Sequence, residues 1–150
     1  MELTDFLVQA KINTYAGAGE GGEGRMSDGC KELVYKEGEW SYRDRYFGGY
    51  SFAGQEVVWQ SDRPIWAMNY YGTMLSEEVD IGECVTFLKS VLKKITPARP
   101  YRGPASYQRE NWLYKNTPSG SIDYFSGQES IFFRETKVYE LVYHGGFIER

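Results

Sequence analysis

Glu56 and Glu129 occur in the same five-residue setting. Phe52-Ala53-Gly54-Gln55-Glu56 returns as Phe125-Ser126-Gly127-Gln128-Glu129, displaced by 73 residues (125 − 52). The match continues without a gap: Val58 meets Ile131, Trp66 meets Tyr139, Met68 meets Leu141 and Tyr70 meets Tyr143. Read as a strand, each stretch alternates its side chains. Phe52, Gly54, Glu56 and Val58 then share one face, as do Phe125, Gly127, Glu129 and Ile131. A carboxylate among apolar neighbours has its charged form disfavoured. Such a group can hold a cation or serve in general acid/base chemistry. The following strands bring Trp66 and Tyr70, and Tyr139 and Tyr143, to the same face. The expectation is a pseudo-symmetric cleft lined by Trp66, Tyr70, Tyr139 and Tyr143, with Glu56 and Glu129 inside it or at its rim. Aromatic faces beside a carboxylate favour an organic cation, and the glycines let a ligand or another backbone come close. A structural reading stands beside this one. Gly-Gln-Glu could mark a β-bulge, with each glutamate bonded to backbone or paired with Arg43, Arg45 or Lys115.

Other reactive residue types offer less. His144 is the only histidine, and no serine or cysteine is tied to it by spacing. Cys30 and Cys84 form no disulfide framework and no zinc-ligand spacing. Glu77, Asp80 and Glu83 read as a solvated helix face. Gly17-Ala18-Gly19-Glu20-Gly21-Gly22 matches a dinucleotide fingerprint, but it follows a helix where the fingerprint needs a strand. No helix opens after it to face a pyrophosphate, and Glu20 and Glu23 would repel phosphate. That stretch, within 16–29, reads as a loop or lid. No catalytic residue, metal ligand or cofactor is assigned.

The elements that must position the glutamates follow from periodicity and turn signals. Residues 3–15 read as a helix with Thr4 and Asp5 as capping candidates. Strands are expected over 32–36, 40–46, 50–59 and 65–71, with turns at Glu37-Gly38-Glu39, Gly48-Gly49 and Ser61-Asp62-Arg63-Pro64. Residues 77–95 read as a second helix, capped by Ser76, with Val85, Leu88, Val91, Leu92 and Ile95 as its apolar stripe. Residues 97–106, with three prolines, form a connector. Strands follow over 107–116, 121–133 and 137–144. The expected fold is α+β: two internally duplicated α-β-β-β(-β) units, roughly 1–75 and 76–150. They form antiparallel sheet packed against two helices in a single domain, 1–150, with pseudo-twofold symmetry.

Composition bounds the function. At this length a chain buries roughly 70% of its unfolded surface. Thirteen Tyr and four Trp supply much of the apolar surface, each with a polar tip needing water or a partner. A net charge of −4 argues against nucleic-acid binding by this chain alone, because phosphate recognition needs a basic face. No basic, apolar leader stands at the N-terminus, and no window approaches the ~18 apolar residues of a membrane span. A soluble cytoplasmic protein is the expectation.

The run from Tyr35 to Gly72 adds a likeness. Tyr35-Lys36-Glu37-Gly38, Trp40-Ser41-Tyr42, Gly48-Gly49, Phe52 to Trp59 and Pro64 to Gly72 resemble a prokaryotic family known only as a domain of unknown function. The resemblance implies no activity and no catalytic residues. It implies a context, since members occur alone or behind helix-turn-helix regulators, as accessory or sensor domains. In topology the paired repeats also resemble effector-binding domains of the gyrase-inhibitor-like group. Those repeats begin with a strand that Met1-Glu2-Leu3-Thr4 leaves no room for. The functional expectation is a small-molecule-binding or sensor domain for an aromatic or cationic ligand, with enzymatic activity left open but not favoured. The alternatives are an interaction module acting as a homodimer, and a hydrolase or isomerase using a glutamate base.

Overall fold

The computed structural model describes residues 1–18 and 24–149. The helices are α1 (Leu3–Ile12), a single turn α2 (Tyr15–Ala18) and α3 (Ile81–Leu92). The strands of the first half are β1 (Gly24–Arg25), β2 (Lys31–Glu37), β3 (Trp40–Gly48), β4 (Ser51–Gln60) and β5 (Arg63–Met74). Those of the second are β6 (Ser106–Arg109), β7 (Trp112–Ser121), β8 (Tyr124–Phe133) and β9 (Thr136–Phe147). They form one antiparallel sheet in the order β1-β2-β3-β4-β5-β9-β8-β7-β6. The expected α+β class is therefore the observed one.

The two halves meet along β5 and β9, where Tyr70 lies opposite its repeat partner Tyr143. Matched positions recur outward from that pair. The register shifts between Val58 and Trp59 in one half and between Ile131 and Phe132 in the other. The hairpin turns Ser61-Asp62 and Arg134-Glu135 both take positive φ, the geometry that two-residue hairpins require.

Turn chemistry also explains where the elements differ from expectation. The stretch 107–116 is two strands, β6 and β7, because Glu110 turns the chain at φ 55°. The second long hairpin turns on Ser61-Asp62 alone, and Arg63 and Pro64 already belong to β5. The first helix stops at Ile12, where Thr14 Oγ1 donates back to the Ala10 carbonyl, 2.7 Å. At its start Glu2 occupies the capping position without a side-chain bond. The second long helix begins at Ile81, later than expected, because Asp80 caps it by accepting from the Glu83 amide, 3.0 Å. Residues 19–23, within the glycine-rich stretch, lie outside the described residues.

One face of the sheet carries the core. Phe6 of α1 stacks on Trp40 at 5.3 Å, and Phe87 of α3 stacks on Trp112 at 5.7 Å. The register places both tryptophans on the same face as Val58, Trp66, Leu141 and Ile131. The other face is open. Phe47, Ala53, Tyr71 and Val142 form a row across it through direct cross-strand pairing, all exposed. Among the described residues no helix is long and apolar enough to cross a membrane.

The repeated glycines have a packing reason. A Cβ on Gly54 would stand 2.3 Å from the Tyr70 hydroxyl, and one on Gly127 2.2 Å from that of Tyr143. Each tyrosine ring lies over the glycine opposite it in the register. Gly127→Ala is expected to lower stability by about 2 kcal/mol through overpacking. Gly49→Ala, with nothing within 4 Å of its Cβ, should change it little. Urea unfolding of both variants measures the difference, and equal midpoints would rule out this role for Gly127.

Candidate functional site

The hairpins β3–β4 and β7–β8 each place a short polar residue opposite a repeated glutamate. Asp44 faces Glu56, and Asn116 faces Glu129. All four are buried on the helix-covered face. A buried carboxylate is unfavourable unless donors reach it, and tyrosines supply them in matched positions. Tyr42 donates to Glu56 at 2.5 Å, and Tyr114 to Glu129 at 2.5 Å. Tyr70 donates to Asp44 at 2.5 Å, and Tyr143 to Asn116 at 2.8 Å. Burial raises the pKa of all four phenols, so they remain donors through the physiological range.

Each glutamate also receives one cation, from outside the strands. Lys11 of α1 reaches Glu56 at 3.2 Å and donates to the Tyr101 carbonyl. Arg102, from the connector before β6, makes a two-pronged bond to Glu129, with Nε at 3.0 Å and Nη2 at 2.9 Å. Tyr139 adds a donor to Glu129 at 2.9 Å. Arg43, Arg45 and Lys115 are not these partners, because Asp44 and Asn116 point toward the helices and their neighbours along the strand point away. Arg43 instead lies over the Trp59 ring, and Arg45 pairs with Glu32.

The two halves part company above the polar pair. In the second half the connector packs down onto the sheet. Asn116 donates from Nδ2 to the Gly103 carbonyl at 3.0 Å, and its amide donates to the Ala105 carbonyl at 3.0 Å. The Gly103 amide donates to the Tyr114 hydroxyl at 3.0 Å. The Tyr101 ring lies 4.4 Å from that of Phe125 and 6.1 Å from that of Tyr143. In the first half the matching place, over Asp44, Phe52 and Tyr70, opens into a cavity of about 390 Å³. Its walls include Tyr15, Tyr46 and Arg102, and the α3 residues Ile81 to Lys89 close one side. Lys31 and Lys89 stand at its edge, over the rings of Tyr46 and Tyr15 respectively. A void of about 20 Å³, room for about one water, lies between Asp44, Glu56 and Lys11.

Among the described residues Asp44 supplies the carboxyl group that lines this cavity. Burial pushes its carboxyl up to about 7, and the neighbouring Glu56 adds to the rise; the Tyr70 hydrogen bond, Arg102 and Lys11 oppose it. Burial also lowers the Lys11 ammonium and takes the Tyr15 phenol up to about 12. Among the described residues no group of three or more His, Cys, Asp and Glu is placed to hold a metal.

Of the residues expected from the sequence, Tyr70 lines the cavity and Glu56 lines the small void beside it. Glu129, Tyr139 and Tyr143 are gathered in the closed half, fully or almost fully buried. Trp66 is in the core, its Nε1 donating to the Ile122 carbonyl at 3.1 Å. Asp44, Lys11 and Arg102 were not anticipated. The β3–β4 register is centred on Tyr50 and sets Asp44 against Glu56; a turn centred on Gly48-Gly49, as read from the sequence, would have set it against Ala53. Lys11 and Arg102 arrive from separate segments and leave no local trace.

A buried, internally bonded carboxylate pair over an aromatic sheet, with one half open, is the architecture a family comparison has to account for. Residues 44–148 match the family described as "Domain of unknown function (DUF5680)", and the chain belongs to it. The match begins at Asp44 itself and takes in Glu56, Tyr70, Arg102 and Glu129. No curated protein and no solved structure matches the chain.

Two predictions follow from the charges. Asp44 binds more protons folded than unfolded between its ordinary value and about 7. Stability due to this group therefore falls as pH rises through that interval and stays low above it. Asp44→Asn keeps an acceptor for Tyr70, as Asn116 does for Tyr143. Thermal melts should show the variant more stable than the parent by about 2 kcal/mol at pH ~8, with the gap closing toward pH ~5. A constant gap would refute the assignment. Arg102→Met strips Glu129 of its cation and should cost roughly 3–5 kcal/mol; a loss under about 1 kcal/mol in urea unfolding would contradict it.

Proposed function

We propose that the chain is a small-molecule-binding domain of the sensor type. Its ligand occupies the cavity over Asp44 and sets a hydrogen-bond-donating, cationic group against that carboxylate. The observation that carries this reading is the contrast between the halves. Where Asn116 stands, the chain fills the place with its own residues and offers the Gly103 carbonyl to the side-chain amide. Where Asp44 stands, the described residues leave the place open, and an ionised carboxylate there can only accept. The size of the cavity lies in the ordinary range for small-molecule sites. Its lining combines the rings of Tyr15, Tyr46, Phe52 and Tyr70 with Asp44 and the cations Lys31, Lys89 and Arg102, so a cationic ligand must meet Asp44 with its charged end and keep clear of the lysines. The glutamates support the site from beneath: Glu56 raises the pKa of Asp44, and Glu129 fixes Arg102.

The same carboxyl supports a second reading, as a general base. A pKa near 7 suits proton transfer at neutral pH, and the cavity gives a substrate access to it. Turnover abolished by Asp44→Asn, with binding retained, would favour this second reading.

The test of binding is a thermal-shift screen with aliphatic and aromatic amines at about pH 8.5 and about pH 5.5. Ionised Asp44 attracts an ammonium group, and at the lower pH the ligand must first displace a proton. Stabilisation is therefore expected at the higher pH, reaching about 2.7 kcal/mol at a hundredfold excess over Kd, and should be weaker at the lower pH. Asp44→Asn should remove it. Shifts that are equal in the parent and in Asp44→Asn would sink the role given to Asp44.

A further inference from the structure

The closed half contains an internal replica of what the open half lacks. Tyr101 lies on Phe125 and Tyr143, with interplanar angles of 36° and 24°. Phe125 and Tyr143 stand 6.2 Å apart at 49°. Their repeat partners Phe52 and Tyr70 stand 6.0 Å apart at 62°. The backing rings correspond as well: Trp66 stacks behind Phe125 at 5.7 Å, and Tyr139 behind Phe52 at 6.5 Å. The seat is thus built in both halves and, among the described residues, covered in one. Phe125 is 1% exposed and Tyr143 0%, whereas Phe52 is only partly buried and, with Tyr70, forms cavity wall.

We infer that the ligand carries an aromatic ring, seated on Phe52 and Tyr70 as Tyr101 is seated on Phe125 and Tyr143. This rests on the reading of the cavity as a ligand site. Rings in tilted or offset contact gain attraction beyond the area they bury, so a flat ring is preferred to a saturated one of similar size. The donor group that reaches Asp44 then projects from the ring's edge, because Tyr70 both forms the seat and donates to Asp44. The ligand class is an arylalkylamine or a close relative.

The experiment compares phenethylamine and tyramine with 2-cyclohexylethylamine, which has the same amine on a saturated ring. Each is titrated calorimetrically into the full chain at about pH 8.5. The aromatic amines are expected to bind several-fold to about tenfold more tightly. Phe52→Leu should bring the two classes close to parity, with its unliganded melting temperature recorded to confirm folding. Equal affinity of the saturated and aromatic amines for the parent protein would overturn the ring seat and leave the amine-binding cavity standing. Absence of binding by all three at millimolar concentration would overturn both. The ligand comparison is made on the parent protein, so it decides the matter even if Phe52→Leu fails to fold.

Discussion

Glu129 is completely buried and is met by donors from three separate parts of the chain: Arg102, Tyr114 and Tyr139. A carboxylate in that position is tolerable only while all of them hold their places. The requirement ties the connector before β6 to the centre of the sheet, and through Gly103 and Ala105 it draws the connector backbone onto Asn116. Tyr139 comes from β9, which pairs with β5 at the junction of the halves. The polar contact therefore sets the register of the second half, the course of its connector and the position of Arg102 at the wall of the open cavity. The apolar core adds most of the cohesion, but non-directional burial alone would not specify which segment lies over which strand.

The first half solves the same problem with fewer donors. Glu56 has Tyr42 and Lys11, and Lys11 must come down from α1 to reach it. Lys11 and Arg102 both line the small void beside the Asp44–Glu56 pair, and both favour ionisation of Asp44. Burial and Glu56 outweigh them, so the acid lies near neutrality. The cavity is where the symmetry of the sequence and the asymmetry of the fold collide: the strands repeat, the connectors do not.

The strands were legible because their signals are local. The repeated Phe-x-Gly-Gln-Glu run, the alternation around it and the turn glycines sufficed to place β2 to β5, β8 and β9, the two long helices and the antiparallel sheet. Boundaries failed where turn residues were ambiguous: Glu110 in positive φ splits what reads as one strand, and Asp80 caps more effectively than Ser76. The site was less legible. Alternation put Glu56 and Glu129 on the core face, but it cannot say whether a core-facing residue is covered by a helix or by a cavity. That depends on the connectors, whose composition carries no period. Trp66 and Tyr143 show the limit: both face inward with Tyr70, yet only Tyr70 meets open space.

The identity of residue 44 is hard to explain by stability alone. Asn at the matched position accepts from a tyrosine as Asp44 does and carries no charge into the interior. Asp44, by contrast, is pushed up to about 7 by its surroundings, so at and above neutral pH its ionisation opposes folding. A residue that costs stability where a neutral near-isostere is already compatible with the same hydrogen bond is the pattern expected where function, not folding, chooses the side chain. It lies where the described residues leave the sheet uncovered, beside rings whose counterparts the other half covers with Tyr101. On the proposed reading, a cation entering the cavity offsets the cost of ionising Asp44, and preference for such an occupant comes from that offset.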